Sequence, residues 1–230
     1  MKIIPSTSKY ALELFSGTKS FGNIAKKYNY SVISLDIEKK HDPTIVADIL
    51  DWDYKKFPVG LFDIIWASPD CRFYSTMQYV WVGKTQTLEQ LEEKRLFSDK
   101  LVKKTLEIID YFKPRLWYIE NPFSGCLKFR PFMKDLPFCV GDYCMYSDWG
   151  YQKPTIFFTN RPVQLYRCKK DCSSIVVDED GKKYHKTSMG GGHAKRRKRD
   201  HEIYGYSTTN TKLIERYRIP EKILKHLVFT

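Results

Sequence analysis

The sequence predicts an α/β protein with a mostly parallel sheet and helices on both of its faces. Three observations carry this expectation. Short apolar runs, rich in β-branched and aromatic residues, alternate with helical stretches, as strands buried on both sides do. Each run stops at a turn-forming or acidic group: Ser16-Gly17, Asp36, Asp48, Ser68-Pro69-Asp70 or Glu120-Asn121-Pro122. A chain of 230 residues with 42% hydrophobic content also suffices for one sizeable core, and no internal repeat interrupts it.

Taken in order, residues 11–15 read as the first strand, 16–22 as the turn after it and 23–28 as a short helix. Residues 32–35 form a second strand ending in Asp36, and 44–47 a third ending in Asp48. The fourth, 61–66, stops at Ser68-Pro69-Asp70, which a central strand does not continue through. Thr87 and Gln90 have the spacing of a capping box and open the longest helix, over 87–112. Leu88, Leu91, Leu101, Leu106, Ile109 and Phe112 supply its expected core face, and Pro114 ends it. Residues 116–119 are a fifth strand, and 153–160 a later one near the sheet's other edge. From 178 to 207 the chain is polar, with Gly190-Gly191-Gly192 and a basic run, and reads as a long mobile loop. Residues 219–227 close the chain as a helix with Pro220 near its first turn. The expected organisation is a catalytic domain over 1–160 and a small C-terminal extension over 161–230.

No apolar run approaches the roughly 20 residues that span a bilayer, and the start Met1-Lys2-Ile3-Ile4-Pro5 is too short for a signal peptide. A soluble intracellular protein, cytoplasmic or nuclear, with no membrane partner is expected, and a monomer is the favoured state. Six cysteines in a chain of this size need no disulfide staples and read as reduced thiols. The net charge of +12 points to a polyanionic partner. Eight of those charges are Lys182, Lys183, Lys186, Lys195, Arg196, Arg197, Lys198 and Arg199, in a stretch without acids. Cys168 and Cys172, with His185, His193 and His201, are of zinc-ligand type, but their spacing fits no standard finger and no metal is assigned.

In open α/β sheets, ligands bind beyond the carboxyl ends of the strands. Phe15, Ser16, Gly17, Thr18, Ser20 and Phe21 make a strand–turn–helix whose backbone N–H groups can face a cofactor. Asp36 stands where a ribose hydroxyl is bound, and Asp48 where a base edge is reached, with Ile37 and Ile49 beside them. Cys71 follows the fourth strand after Ser68 and Pro69, and Glu120 ends the fifth, so a thiol and a carboxylate can share one cleft. Taken alone, a cysteine there is more often only a small buried apolar residue.

The runs Glu13-Leu14-Phe15-Ser16-Gly17-Thr18, Ala67-Ser68-Pro69-Asp70-Cys71 and Ile119-Glu120-Asn121-Pro122 together resemble the C5-cytosine methyltransferase family. The likeness covers roughly residues 10–160 and is strongest to the small forms of large DNA viruses, phages and algae. It implies a Rossmann-like methyltransferase fold, S-adenosylmethionine as cofactor and DNA as substrate. It further implies that Cys71 adds to C6 of a flipped cytosine while Glu120 holds N3 and the exocyclic amine. Arg72, Asn121, Lys153 and the run Lys195, Arg196, Arg197, Lys198, Arg199 are the implied nucleic-acid contacts. Three positions depart from the family pattern: Lys19 replaces a usual glycine, Asp70 a proline before the cysteine, and Ile156 an arginine after Lys-Pro-Thr. They keep two alternatives open: a nucleic-acid-binding relative with impaired catalysis, and an RNA cytosine-C5 methyltransferase. A nicotinamide oxidoreductase fits less well, because its fingerprint needs a glycine at Lys19 and leaves Cys71 and Glu120 unexplained.

Overall fold

A computed structural model describes residues 9–187 and 217–230. Seven strands form one sheet in the order β3-β2-β1-β4-β5-β7-β6. They are β1 (Lys9–Leu14), β2 (Tyr30–Asp36), β3 (Ile45–Val46), β4 (Phe62–Ala67), β5 (Leu116–Pro122), β6 (Phe138–Asp142) and β7 (Pro154–Thr159). The helices are α1 (Ser20–Lys27), α2 (Leu88–Phe112) and α3 (Glu221–Val228), and a hairpin of β8 (Ile175–Val177) and β9 (Lys183–His185) stands apart from the sheet. Strands β3, β2, β1, β4 and β5 pair in parallel, as the apolar runs predict. The chain leaves β1 toward β2 and β3, then returns past β1 to β4. That reversal makes the carboxyl ends of β1 and β4 the topological switch point, where such sheets bind ligands.

Two compact units are distinguished: Met1–Cys139 with Ile156–Val163, and Val140–Thr155 with Gln164–Thr230. In the first, Trp66 of β4 stacks on Phe21 of α1, with centroids 5.3 Å apart and planes 10° from parallel. Phe62 meets Phe112 edge-on at 4.8 Å, fixing the end of α2 against the sheet. Both rings are wholly buried, so α1 and α2 are each pinned by an aromatic contact.

Helix α2 opens with the expected capping box, both Thr87–Gln90 bonds being made. Its buried face matches the expected one at Leu91, Ile109 and Phe112 and departs from it elsewhere. Leu88 is 54% exposed, and the face that turns inward runs through Leu91, Arg95, Ser98, Asp99, Val102, Thr105, Ile109 and Phe112. Two polar members of that stripe, Arg95 and Asp99, hold loops of the site described below, whereas Ser98 and Thr105 bond back to carbonyls of their own helix. The polar stretch expected as a loop from 178 onward also departs from expectation, because Lys183–His185 pairs antiparallel with Ile175–Val177. Residues 188–207 of that stretch lie outside the described residues. The closing helix is present over Glu221–Val228, with Pro220 capping it.

Glu13 is buried under α1, where its carboxylate accepts the Phe21 N–H at 3.1 Å. Gly22 packs so closely that a Cβ there would sit 2.4 Å from a Glu13 oxygen, which is why glycine stands at that position. Burial raises the Glu13 pKa from 4.5 to about 7. Between those values the folded protein keeps a proton that the unfolded chain has released. Stability therefore falls as pH rises from about 4.5 to 7, by roughly 3 kcal/mol from this group. Glu13→Gln is expected to remove that slope, read as a smaller difference in urea midpoint between pH 5 and pH 8 than in wild type.

Candidate active site

Strand register builds the site. Leu35, Leu14, Ala67 and Ile119 lie side by side across β2, β1, β4 and β5. The next residue on each strand is Asp36, Phe15, Ser68 or Glu120, so these four form one row at the carboxyl edge. Ser68 N–H donates to the Leu14 carbonyl at 3.3 Å, and Ser16 N–H to the Leu35 carbonyl at 3.1 Å, locking the row together.

Three residues of the turn after β1 take left-handed backbone conformations: Phe15 (φ 57°), Gly17 (φ 40°) and Lys19 (φ 55°). For Phe15 and Lys19 this costs of order 1 kcal/mol each, the kind of strain concentrated at functional sites. Lys19 thus holds the conformation that a glycine adopts at no cost, and its ammonium reaches outward to the Asp42 carboxylate at 3.0 Å. Asp36 clamps the turn. One carboxylate oxygen accepts the Gly17 N–H and the other the Glu38 N–H, both at 2.8 Å. Ile37 beside it is 64% exposed. Thr18 and Ser20 share a 2.8 Å hydroxyl bond, whereas the buried Ser16 hydroxyl has no hydrogen-bond partner among the described residues. Phe21 faces the core against Trp66 rather than the turn. Asp48 folds back to accept the Leu50 N–H at 2.9 Å, and Ile49 is buried.

Past β4, the Trp66 indole N–H donates to the Ser68 hydroxyl at 3.1 Å, and Pro69 is buried. Cys71 is half-buried, and its carbonyl accepts the N–H groups of Tyr74 and Ser75 at 3.1 Å, so the nucleophile candidate opens a tight turn. Asp70 accepts the Arg72 backbone N–H at 2.9 Å and ion-pairs with its guanidinium at 2.6 Å. The carboxylate next to the thiol is therefore neutralised by a partner two residues on, a compensation invisible in the sequence. We expect Arg72→Gln to slow alkylation of Cys71 at neutral pH by about two- to fivefold, since an uncompensated anion disfavours the thiolate. The Asp70→Asn/Arg72→Gln double variant should return to the wild-type rate, as measured by peptide mapping after iodoacetamide pulses.

Glu120, 8% exposed, ends the row on β5. Asn121 is only 1% exposed, and its side-chain amide donates to the Pro69 carbonyl at 3.2 Å, tying the Glu120 segment to the Cys71 loop. Cys126 N–H adds a second tie, to the Tyr74 carbonyl at 2.8 Å. Helix α2 braces the assembly. Arg95 donates to the Phe73 carbonyl at 3.0 Å, the Tyr74 hydroxyl donates to Asp99 at 2.8 Å, and Arg130 bonds both Asp99 and Glu92. These supports were not apparent from sequence, though Glu92, Arg95 and Asp99 at helical spacing on α2 carried the signal.

Register brings Asp36, Phe15, Ser68 and Glu120 together, with Cys71 three residues beyond Ser68. Lys153 belongs to the second unit, where it is buried with its ammonium 4.9 Å from the Tyr143 ring centroid. Ile156 is a buried residue of β7. Lys195, Arg196, Arg197, Lys198 and Arg199 lie outside the described residues. No helix among the described residues is long and apolar enough to cross a membrane.

A mostly parallel seven-stranded sheet in this strand order is a Rossmann-like methyltransferase fold. The chain belongs to the DNA (cytosine-5)-methyltransferase family. It is 37% identical over 156 residues to the "Probable DNA (cytosine-5)-methyltransferase" of Frog virus 3 (isolate Goorha), an alignment covering 65% of this chain and 69% of that protein. No protein-family model matches the chain. Among solved structures it is similar to a "putative DNA modification methyltransferase encoded within prophage" of E. coli (TM-score 0.45, 12% identity, 66% of this chain and 46% of that one). A triple mutant of Spodoptera frugiperda DNMT2 is also similar (TM-score 0.43, 14% identity, 71% of this chain and 56% of that one). The chain spans about half the length of those two solved chains.

Proposed function

We propose that this protein transfers a methyl group from S-adenosylmethionine to C5 of cytosine in DNA through a covalent adduct on Cys71. The observation that carries the reading is the row Asp36, Phe15, Ser68 and Glu120 at the switch point, with the Cys71 loop pinned onto β5 by Asn121. The catalytic domain is the part expected over residues 1–160, and 161–230 is its extension.

The turn after β1 fits the cofactor. It offers an unpartnered buried hydroxyl on Ser16, a clamped acid at Asp36 and an exposed apolar side chain at Ile37 against which an adenine can lie. Bound there, S-adenosylmethionine would supply an electrophilic methyl on its sulfonium. The protein's own residues prepare the base. The Cys71 thiolate adds to C6, and the C5–C6 π electrons move toward N3, giving C5 enamine character. Glu120 hydrogen-bonds N3 and the exocyclic amine, stabilising the charge that develops there. Once C5 carries the methyl, a solvent water takes the C5 proton, the C–H electrons re-form the C5–C6 double bond, and the C6–S bond breaks to release the Cys71 thiolate. The base must leave the duplex first, at a cost of roughly a few kcal/mol, and Arg72 and the basic run lie on the phosphates.

Transfer of a labelled methyl group to DNA and to RNA, followed by nucleoside analysis, tests the proposal. 5-Methylcytosine in DNA is expected. Label in RNA alone would move the substrate to RNA, and binding without turnover would mark an impaired relative. Neutralising Lys195, Arg196, Arg197, Lys198 and Arg199 together is expected to weaken binding to all DNA sequences. The log–log salt slope should fall by roughly 0.9 per lost phosphate contact, measured by fluorescence anisotropy.

A further inference from the structure

Four side chains of metal-ligand type that the chemistry assigned above does not use converge within the second unit. Cys144 lies in the short helical turn Tyr143–Met145 that follows β6. Cys168 and Cys172 flank a turn in which Lys170 takes a left-handed φ of 62°. His185 ends the short strand β9. The three sulfurs and one imidazole nitrogen lie within 4.8 Å of one another. We propose that Cys144, Cys168, Cys172 and His185 bind one zinc ion.

The geometry supports a tetrahedral site. Zinc bonds of about 2.3 Å to sulfur and about 2.0–2.1 Å to nitrogen place sulfurs about 3.8 Å apart, and sulfur and nitrogen about 3.6 Å apart. Cys168 Sγ and His185 Nε2 are 3.5 Å apart, already the edge of such a tetrahedron. The remaining pairs need to close by at most about 1 Å. Thiolate and imidazole ligands in a four-coordinate set select zinc over calcium or magnesium, which take oxygen.

The surroundings are those of a built site. Buried Asp142 accepts the Cys168 N–H at 2.7 Å and the Arg167 guanidinium at 2.9 Å, holding the ligand turn in place. The Ile175 N–H donates to the Cys172 carbonyl at 3.1 Å, and the Lys186 N–H to the Ser174 carbonyl at 2.9 Å, fastening the hairpin to the same turn. Strands of three residues each make no stable hairpin alone, so a staple at this point has physical work to do. With all four positions taken by protein, the site leaves none for water and is structural rather than catalytic.

The test is the metal content of wild-type protein purified under reducing conditions without chelator, together with its spectrum after exchange into cobalt. One zinc per chain is expected, and cobalt should give the thiolate charge-transfer band and intense visible bands of a tetrahedral sulfur-rich site. Cys144→Ser and Cys172→Ser should lose the metal, whereas Cys139→Ser, a buried cysteine outside the cluster, should keep it. His185→Cys preserves four ligands and should retain metal with shifted cobalt bands, an outcome readable even if the serine variants do not fold. Wild-type protein with no zinc and no cobalt charge transfer, or with two of the three thiols joined as a disulfide in reducing buffer, overturns the proposal.

Discussion

Cys71→Ala is expected to abolish methyl transfer, lowering turnover by at least about a thousandfold, while S-adenosylmethionine binds as in wild type. The loss is large because the thiol is not one contribution among several: without addition at C6, C5 of cytosine is too weak a nucleophile to react. Binding survives because the proposed cofactor turn, Phe15 to Ser20, is shaped by β1, α1 and the Asp36 clamp, and the substitution alters only the Cys71 side chain. The fold survives because the turn is held by backbone atoms of Cys71 and by Asn121, Arg95 and Tyr74. A labelled-methyl assay and calorimetric titration of the cofactor read the two effects separately. Cys71→Ser should behave alike, since an alkoxide is not available near neutral pH.

Glu120→Gln should be the second most costly change, reducing turnover by on the order of 10²–10³ with little effect on stability. The substitution keeps the shape, an acceptor for the exocyclic amine and a donor for N3, but removes the proton that a carboxyl group can pass to N3 as charge develops there. Because the group acts as charge develops, the loss should appear in kcat more than in KM. Single-turnover rates with saturating DNA check this, and denaturant midpoints confirm that the strand end is intact. A variant that loses KM alone would make Glu120 a binding group.

Strands β1, β2, β4 and β5 and the carboxyl-edge placement of Cys71 and Glu120 were legible because buried parallel strands write themselves as apolar runs closed by turn residues. The core face of α2 was legible only in part: Leu91, Ile109 and Phe112 are buried as expected. Leu88 is exposed, whereas Arg95 and Asp99 are buried, because that face braces the Cys71 loop and Arg130 rather than packing only on apolar neighbours. Strand β6, with Gly141 and Asp142 among its five residues, has too little β propensity to announce itself. The pairing of Asp70 with Arg72 depends on side-chain direction, which sequence spacing does not specify. Cys144 was missed for a topological reason: it joins Cys168, Cys172 and His185 only through the path of the chain after β6, at a spacing that matches no finger.

The most direct measurement is a trapping reaction with S-adenosylmethionine and DNA carrying 5-fluorocytosine, which has no C5 proton to lose and so stalls the adduct. A stable protein–DNA species, with the modified base mapped to Cys71 by peptide mass spectrometry, is predicted. It should be absent from Cys71→Ala. Methylated cytosine formed without such an adduct, or an adduct mapped to another residue, would contradict the assignment of Cys71 as nucleophile.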